Sequence, residues 1–352
     1  MIIALLTRWN ATCGVSMHAE MITEEFRKKG NEIKIFAPYI ASADRWWHHR
    51  IIREDEDFVI RCYNELEPST LRGGGIDFGK IEDEDFDVLL VESYTSIPYG
   101  DVEKLVKRVR SDGVRVGLVV HEGSREEMRY SSLDIFDFVV VFDERYERML
   151  DGYGGDIKVI PYPCYPVKEG NREFGEDGII FFSFGRQPEK EYEDFVNALR
   201  RLRTRYDLRY RIIRSDGMLK FDEDWIEQRR ERIASTEELY NYLHGSDIHL
   251  LPKGHTNKVV VSSTFCQCAG SLVPIIAPNT RHFETLPEDK PVLLYENEKD
   301  LEEKITMVIE SDSIREQLKI NAKRYVEENR VDIVADRFME LFKEIEARQL
   351  AL

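Results

Sequence analysis

Arg186 and Lys190, in SFGRQPEKEY, leave an apolar run and open a helical pattern. A guanidinium offers a fork of donors and an ammonium a point charge, and together they suit a diphosphate. Basic residues at a helix start oppose the helix dipole, so the pair predicts a compensating anion; a solvated helix end is the alternative. In VVHEGSRE, His121 stands at the carboxyl end of an apolar strand, where parallel α/β sheets meet their ligands. Arg125 occupies the place of a second zinc-protease histidine, so His121 and Glu122 are not that motif; a hydrogen-bonded strand-end histidine is the alternative. Ser262, Ser263 and Thr264 lie where a helix is expected to begin. Hydroxyls and free amides there suit a phosphate, and the same residues also serve as ordinary caps. Gly14, in the loop TRWNATCGVSM, would let a ligand approach the amides of the helix that follows, or mark a plain tight turn.

Other stretches carry weaker signals. RGGGIDFGKIED nearly matches a Walker A loop, but Ile81 stands where Ser or Thr should hold magnesium, so a surface loop is expected. No three-glycine dinucleotide fingerprint follows the first strand, which argues against a Rossmann dehydrogenase. DRWWHHRII gathers Trp46, Trp47, His48, His49 and Arg50. The tryptophans suit contact with an acceptor or a membrane surface, with aromatic packing as the alternative; adjacent histidines rarely converge on one metal. Cys13, Cys62, Cys164, Cys266 and Cys268 are odd in number and irregularly spaced, which predicts small buried thiols in a reducing compartment.

These residues need elements to hold them. MIIALLT, EIKIFAP, DVLLVES, VRVGLVVHEG, DFVVVFD and IKVIPYP read as short apolar strands. Amphipathic helices alternate with them, among them Ser16 to Lys29 with Gly30 as its stop. Such alternation predicts a parallel sheet covered on both faces. PYPCYPVKEGNREFGEDG reads as a linker, beyond which the pattern restarts with IIFFSFG, YRIIRS, DIHLLP, VPIIAP and PVLLYE. Ser235 and Glu238 form a capping box for a helix running towards His244. The expected domains are 1–166 with a terminal helix at 332–352, a linker at 167–177, and 178–331. The 352 residues are 33% charged with net charge −17, which argues against a general nucleic-acid binder. No apolar run approaches the ~18 residues of a membrane helix.

The order of these motifs resembles the GT-B glycosyltransferases of the family 4 type, the group 1 glycosyltransferases. CGVSMHAEMITEEFRKKGNEIKIFAP is similar to that family's opening loop, helix and second strand, and GLVVHEG to its histidine strand. IIFFSFGRQPEK resembles the segment with its phosphate-binding Arg and Lys, and GSLVPIIAPN part of its nucleotide-domain core. The resemblance implies an α/β protein with two Rossmann-like parallel-sheet domains facing across a cleft, and a C-terminal helix crossing back to the first. It implies a retaining, metal-independent transferase with no cofactor beyond its donor, a nucleotide-diphosphate sugar. The acceptor is a small molecule, a glycan or a lipid-linked molecule. His121 would line the sugar site, Arg186 and Lys190 would hold the diphosphate, and Gly14 would keep its loop close to the substrates. The family's paired glutamates are not matched. The second falls on Gln267, which can still hydrogen-bond a ribose, and the first near Asn257 to Val259. The rival expectations are a degenerate GT-B protein that binds without turnover and a nucleotide-sugar epimerase of similar fold. The expected location is the cytoplasm, with peripheral membrane contact as a variant.

Overall fold

The computed structural model describes residues 1–44 and 50–350, the last two of these by backbone alone. The chain divides into two compact units. Unit 1 comprises Met1–Pro163, Lys258–Ser263 and Val331–Leu352, and unit 2 comprises Cys164–Asn257 and Thr264–Arg330.

Unit 1 is built on a sheet of β1 (Ile2–Leu6), β2 (Glu32–Pro38), β3 (Val59–Glu67), β4 (Arg72–Ile76), β5 (Val88–Ser93), β6 (Arg115–Val120), β7 (Phe138–Val141) and β8 (Ile157–Val159). The order is β4-β3-β2-β1-β5-β6-β7-β8. Every neighbouring pair is parallel except β3 and β4. The expected parallel sheet is present and carries one antiparallel strand, β4, at its edge. The Gly-rich segment RGGGIDFGKIED, expected as a surface loop, instead forms β4 and then a short helix, Phe78–Glu82; at Gly74 an added Cβ would stand 3.0 Å from Leu66 of β3. Interior strands are apolar on both faces because helices cover both: Ile3 to Leu6, Val88 to Val91 and Phe138 to Val141 are fully buried. At Gly117 the Phe138 ring lies so close that an added Cβ would stand 2.1 Å from it.

The helix Gly14–Lys28 begins two residues earlier than expected, because Cys13 caps it. The last helix, Val331–Leu350, completes the same core. Phe342 meets Phe26 and Phe138, each at 5.9 Å between ring centroids, and Lys29 pairs with Asp336 at 2.6 Å.

Unit 2 carries β9 (Ile179–Gly185), β10 (Leu208–Arg214), β11 (Ile226–Arg230), β12 (Ile248–Leu250), β13 (Ile275–Pro278) and β14 (Leu293–Tyr295), in the order β11-β10-β9-β12-β13-β14. All neighbours are parallel. One face packs Phe181, Tyr210, Ile212 and Leu250 against Tyr192, Phe195 and Leu199 of the helix Lys190–Leu202. On the other face Phe182 stacks on Tyr242, and Phe184 on His249. Buried Asp247 accepts from the amides of Gly175 and Ile180 and from the Arg172 guanidinium. Ser235 caps the helix Thr236–His244 as expected, while Glu238 reaches back to the amide of Ala234.

Candidate active site

In unit 1, β5 and β6 run side by side with Ser93 opposite Val120. Their carboxyl ends therefore bring Glu92, 29 residues earlier in sequence, to His121. His121 Nε2 lies 2.5 Å from Glu92 Oε2, and His18 Nδ1, from the helix Gly14–Lys28, lies 2.8 Å from Oε1. Glu92 and His18 are fully buried. Burial would raise the Glu92 carboxyl, but the two imidazoles outweigh it and hold the group at about 2. Glu92 is thus a carboxylate with no hydrogen to give, so each ring nitrogen facing it must donate. Burial also lowers the His121 pKa against the pull of Glu92, which favours the neutral ring. A neutral His121 that donates through Nε2 carries a bare Nδ1, an acceptor for a hydroxyl. Edge contacts with Phe142 and His18 fix the ring plane.

His18, Glu92 and His121 are also the group among the described residues whose ligand atoms lie close enough, within 4.8 Å, to hold a metal ion. The hydrogen bonds use both inward ring nitrogens and both carboxylate oxygens. An ion there would have to displace both bonds.

A second buried carboxyl adjoins the first. Ser93 Oγ and Tyr99 Oη donate to Glu122 Oε1 at 2.5 and 2.7 Å. Oε2 is buried with no partner among the described residues. Burial raises the Glu122 pKa from 4.5 to about 7. Between those values the folded chain keeps a proton that the unfolded chain has released. The contribution of this group to stability therefore falls as pH rises through that window and levels off above it. Glu122→Gln should flatten that part of a urea-midpoint profile against pH. An unchanged slope in the variant would refute the assignment. Glu92 has the opposite sign, its contribution being lost as pH falls from 4.5 towards 2.

Gly14 is the first residue of its helix, and its carbonyl accepts from Tyr162 Oη at 2.7 Å. An added Cβ would stand 3.2 Å from Ser263 Oγ, so smallness matters at this position, not backbone freedom. Upstream, Arg8 forms a buried ion pair with Glu65, its Nε donating to Oε1 at 2.6 Å, and its guanidinium lies 4.2 Å from the Tyr94 ring centre.

In unit 2, Gly185 ends β9 at φ +133°, a backbone that side chains rarely adopt, and turns the chain into Arg186. Arg186 Nε donates to Asp216 Oδ1 at 2.9 Å, so the anion predicted for it is supplied in part by the protein. Lys190 opens its helix and is exposed. Ser263–Cys268 is a short helix. Ser262 and Ser263 belong to unit 1, Thr264 and half-buried Gln267 to unit 2, so the hydroxyl run is not one cluster within either unit. Thr264 Oγ1 accepts from Lys253 at 3.1 Å. Trp46 and Trp47, with His48 and His49, lie outside the described residues. Sequence reasoning missed His18, Glu92, Arg8, Glu65 and Lys253. Glu92 alone left a trace, as a charge inside an apolar strand.

Residues 186–340 match the model of the family described as glycosyl transferase-like. Solved structures align along nearly the whole chain. A pneumococcal O-GlcNAc transferase, GtfA, in complex with UDP and GlcNAc has TM-score 0.69 at 12% identity, over 98% of this chain and 99% of its own. HepE of Anabaena, in complex with UDP-glucose, has TM-score 0.63 at 12% identity, over 98% of this chain and all of its own. The fold is that of the GT-B glycosyltransferases. An α-glucosyltransferase solved with UDP and a 13-mer DNA shares the GT-B fold at TM-score 0.68 and 12% identity, with 98% of both chains covered. Within that fold, residues 186–340 are the part similar to the glycosyl transferase-like family. None of the described helices is long and apolar enough to cross a membrane.

Proposed function

We propose that this chain is a retaining, metal-independent glycosyltransferase of the family 4 type, moving a sugar from UDP-sugar to a small-molecule, glycan or lipid-linked acceptor. The observation that carries the reading is the glycosyl transferase-like domain at 186–340 within a chain that shares the GT-B fold along 98% of its length. UDP is favoured as the nucleotide because GtfA was solved with UDP and HepE with UDP-glucose. In the reaction the acceptor oxygen bonds the anomeric carbon as the bond from that carbon to the diphosphate breaks, negative charge grows on the leaving oxygens, and the acceptor's proton passes to the leaving phosphate. Arg186 and Lys190 take up that charge, with Thr264 of the same unit as a hydroxyl donor. Gln267 hydrogen-bonds the ribose. His121 accepts from a sugar hydroxyl through Nδ1, its ring held in that tautomer by the Glu92 carboxylate behind it. A nucleic-acid acceptor is disfavoured by the net charge of −17.

Arg186→Ala should weaken UDP binding by about tenfold, roughly the 1.4 kcal/mol expected for one charge-assisted bond shared with Asp216. Titration calorimetry of wild type and variant measures this. A wild type that binds no nucleoside diphosphate or nucleotide sugar would overturn the reading. The second reading is binding without turnover, and it is favoured by Gln267 standing where a carboxylate is expected. A wild type that binds UDP-glucose or UDP-GlcNAc, but neither transfers nor slowly hydrolyses either across a broad acceptor panel, would establish that alternative.

A further inference from the structure

Lys253 follows Pro252 just beyond the carboxyl end of β12, the strand beside β9, whose own carboxyl end carries Arg186. Its side chain is half-buried. Its ammonium makes one hydrogen bond among the described residues, to the Thr264 hydroxyl at 3.1 Å, and no ion pair within 4 Å. An ammonium has three hydrogens to give. The neighbouring carboxylate is that of Glu191, which lies tight against Gly254, where an added Cβ would be 2.4 Å from Oε1. Glu191 Oε2 is itself buried without a partner. Burial lowers the Lys253 pKa and raises that of Glu191, each against the pull of the other. The chain thus holds a cation at the ligand-facing edge of its sheet and leaves two of its hydrogens unused. Thr264 adds to this. Its oxygen accepts from Lys253, so its own hydrogen is available to an incoming acceptor.

We propose that Lys253, with the Thr264 hydroxyl, binds the diphosphate of the donor and contributes more to its affinity than exposed Lys190. The assignment rests on the nucleotide-sugar reading above. Lys190 is solvated and must give up rotamer freedom to reach an anion, whereas Lys253 is already confined. The oxyanion also completes a half-buried donor set, which a surface lysine does not need.

The test is calorimetry of the full chain with UDP, uridine and inorganic pyrophosphate at one fixed salt concentration. Lys253→Met keeps the length of the side chain and removes the charge. It should lower affinity for UDP and pyrophosphate about tenfold and leave that for uridine within about twofold. Lys190→Ala should cost less for the same ligands. Thr264→Val, a smaller change that serves if Lys253→Met does not fold, should weaken UDP several-fold and spare uridine. UDP affinity within twofold of wild type in Lys253→Met, or equal losses for UDP and uridine, would overturn the assignment, the second outcome marking a structural role. If Arg186→Ala weakens UDP while Lys253→Met and Thr264→Val do not, this assignment fails and the nucleotide-sugar reading stands. If wild type binds neither UDP nor pyrophosphate, both fall together.

Discussion

His121→Ala should keep UDP affinity and lose roughly a hundredfold or more of its transfer rate, the usual cost of removing one preorganised polar group that acts in the transition state. The expectation follows from the direction of the ring. Its Nε2 is committed to Glu92 at 2.5 Å, and aromatic contacts hold its plane, so Nδ1 is presented in one tautomer before any substrate arrives. Glu92 touches no substrate in this scheme and acts through His121 as a positioning residue. Glu92→Gln should therefore lower kcat more than it changes KM. In a double variant it should add little to the loss already caused by His121→Ala, because the two act as one unit. Turnover of His121→Ala within threefold of wild type, with a matched donor and acceptor, would remove the histidine from the mechanism. Additive losses would show that Glu92 acts elsewhere.

Glu65→Ala should destabilise the fold by about 3–5 kcal/mol, because it strands a buried guanidinium. Arg8 is 5% exposed and Glu65 1% exposed, and two guanidinium nitrogens of Arg8 meet the two carboxylate oxygens at 2.6 and 3.2 Å. Arg8 also donates to Ser96 Oγ at 2.7 Å and lies over Tyr94, contacts that hold the guanidinium in place. Replacing both partners, as Arg8→Met with Glu65→Leu, should cost much less than Glu65→Ala, since no charge is left behind. Urea unfolding of the three proteins decides it. A loss below about 1 kcal/mol in Glu65→Ala would mean that water reaches the pair.

Both predictions rest on residues that the sequence displayed unequally. The interior strands were legible because a parallel strand covered on both faces must be apolar along its length, and IIALL or FVVV can hardly be anything else. β3 and β11 were not. VIRCYNELE and IEQRR mix charges with apolar residues because one pairs with the antiparallel edge strand β4 and the other is itself an edge strand. His121 could be placed from its strand end alone. Its partner could not, because Glu92 reaches it through a sheet register that no local pattern encodes. Nothing local in LPKGH distinguishes Lys253 from the other basic residues, 50 in all; its half-burial and its bond to Thr264 do. Arg8 and Glu65 are 57 residues apart, and although Arg8 lies in the loop TRWNATCGVSM, no local pattern names Glu65 as its partner.

The helix Val331–Leu350 gives unit 1 a peculiar history. Its strands leave the ribosome first, yet Phe338 and Phe342, which fill the space beside Phe26 and Phe138, are made only after all of unit 2. A nascent unit 1 must therefore wait with that apolar surface uncovered while more than a hundred further residues are translated, although N-terminal domains generally fold first during synthesis. Unit 2 needs no such later segment and can close ahead of the unit that precedes it. A fragment cut at Pro163 would inherit the same gap permanently, so the two halves of this protein are not interchangeable as pieces for separate expression.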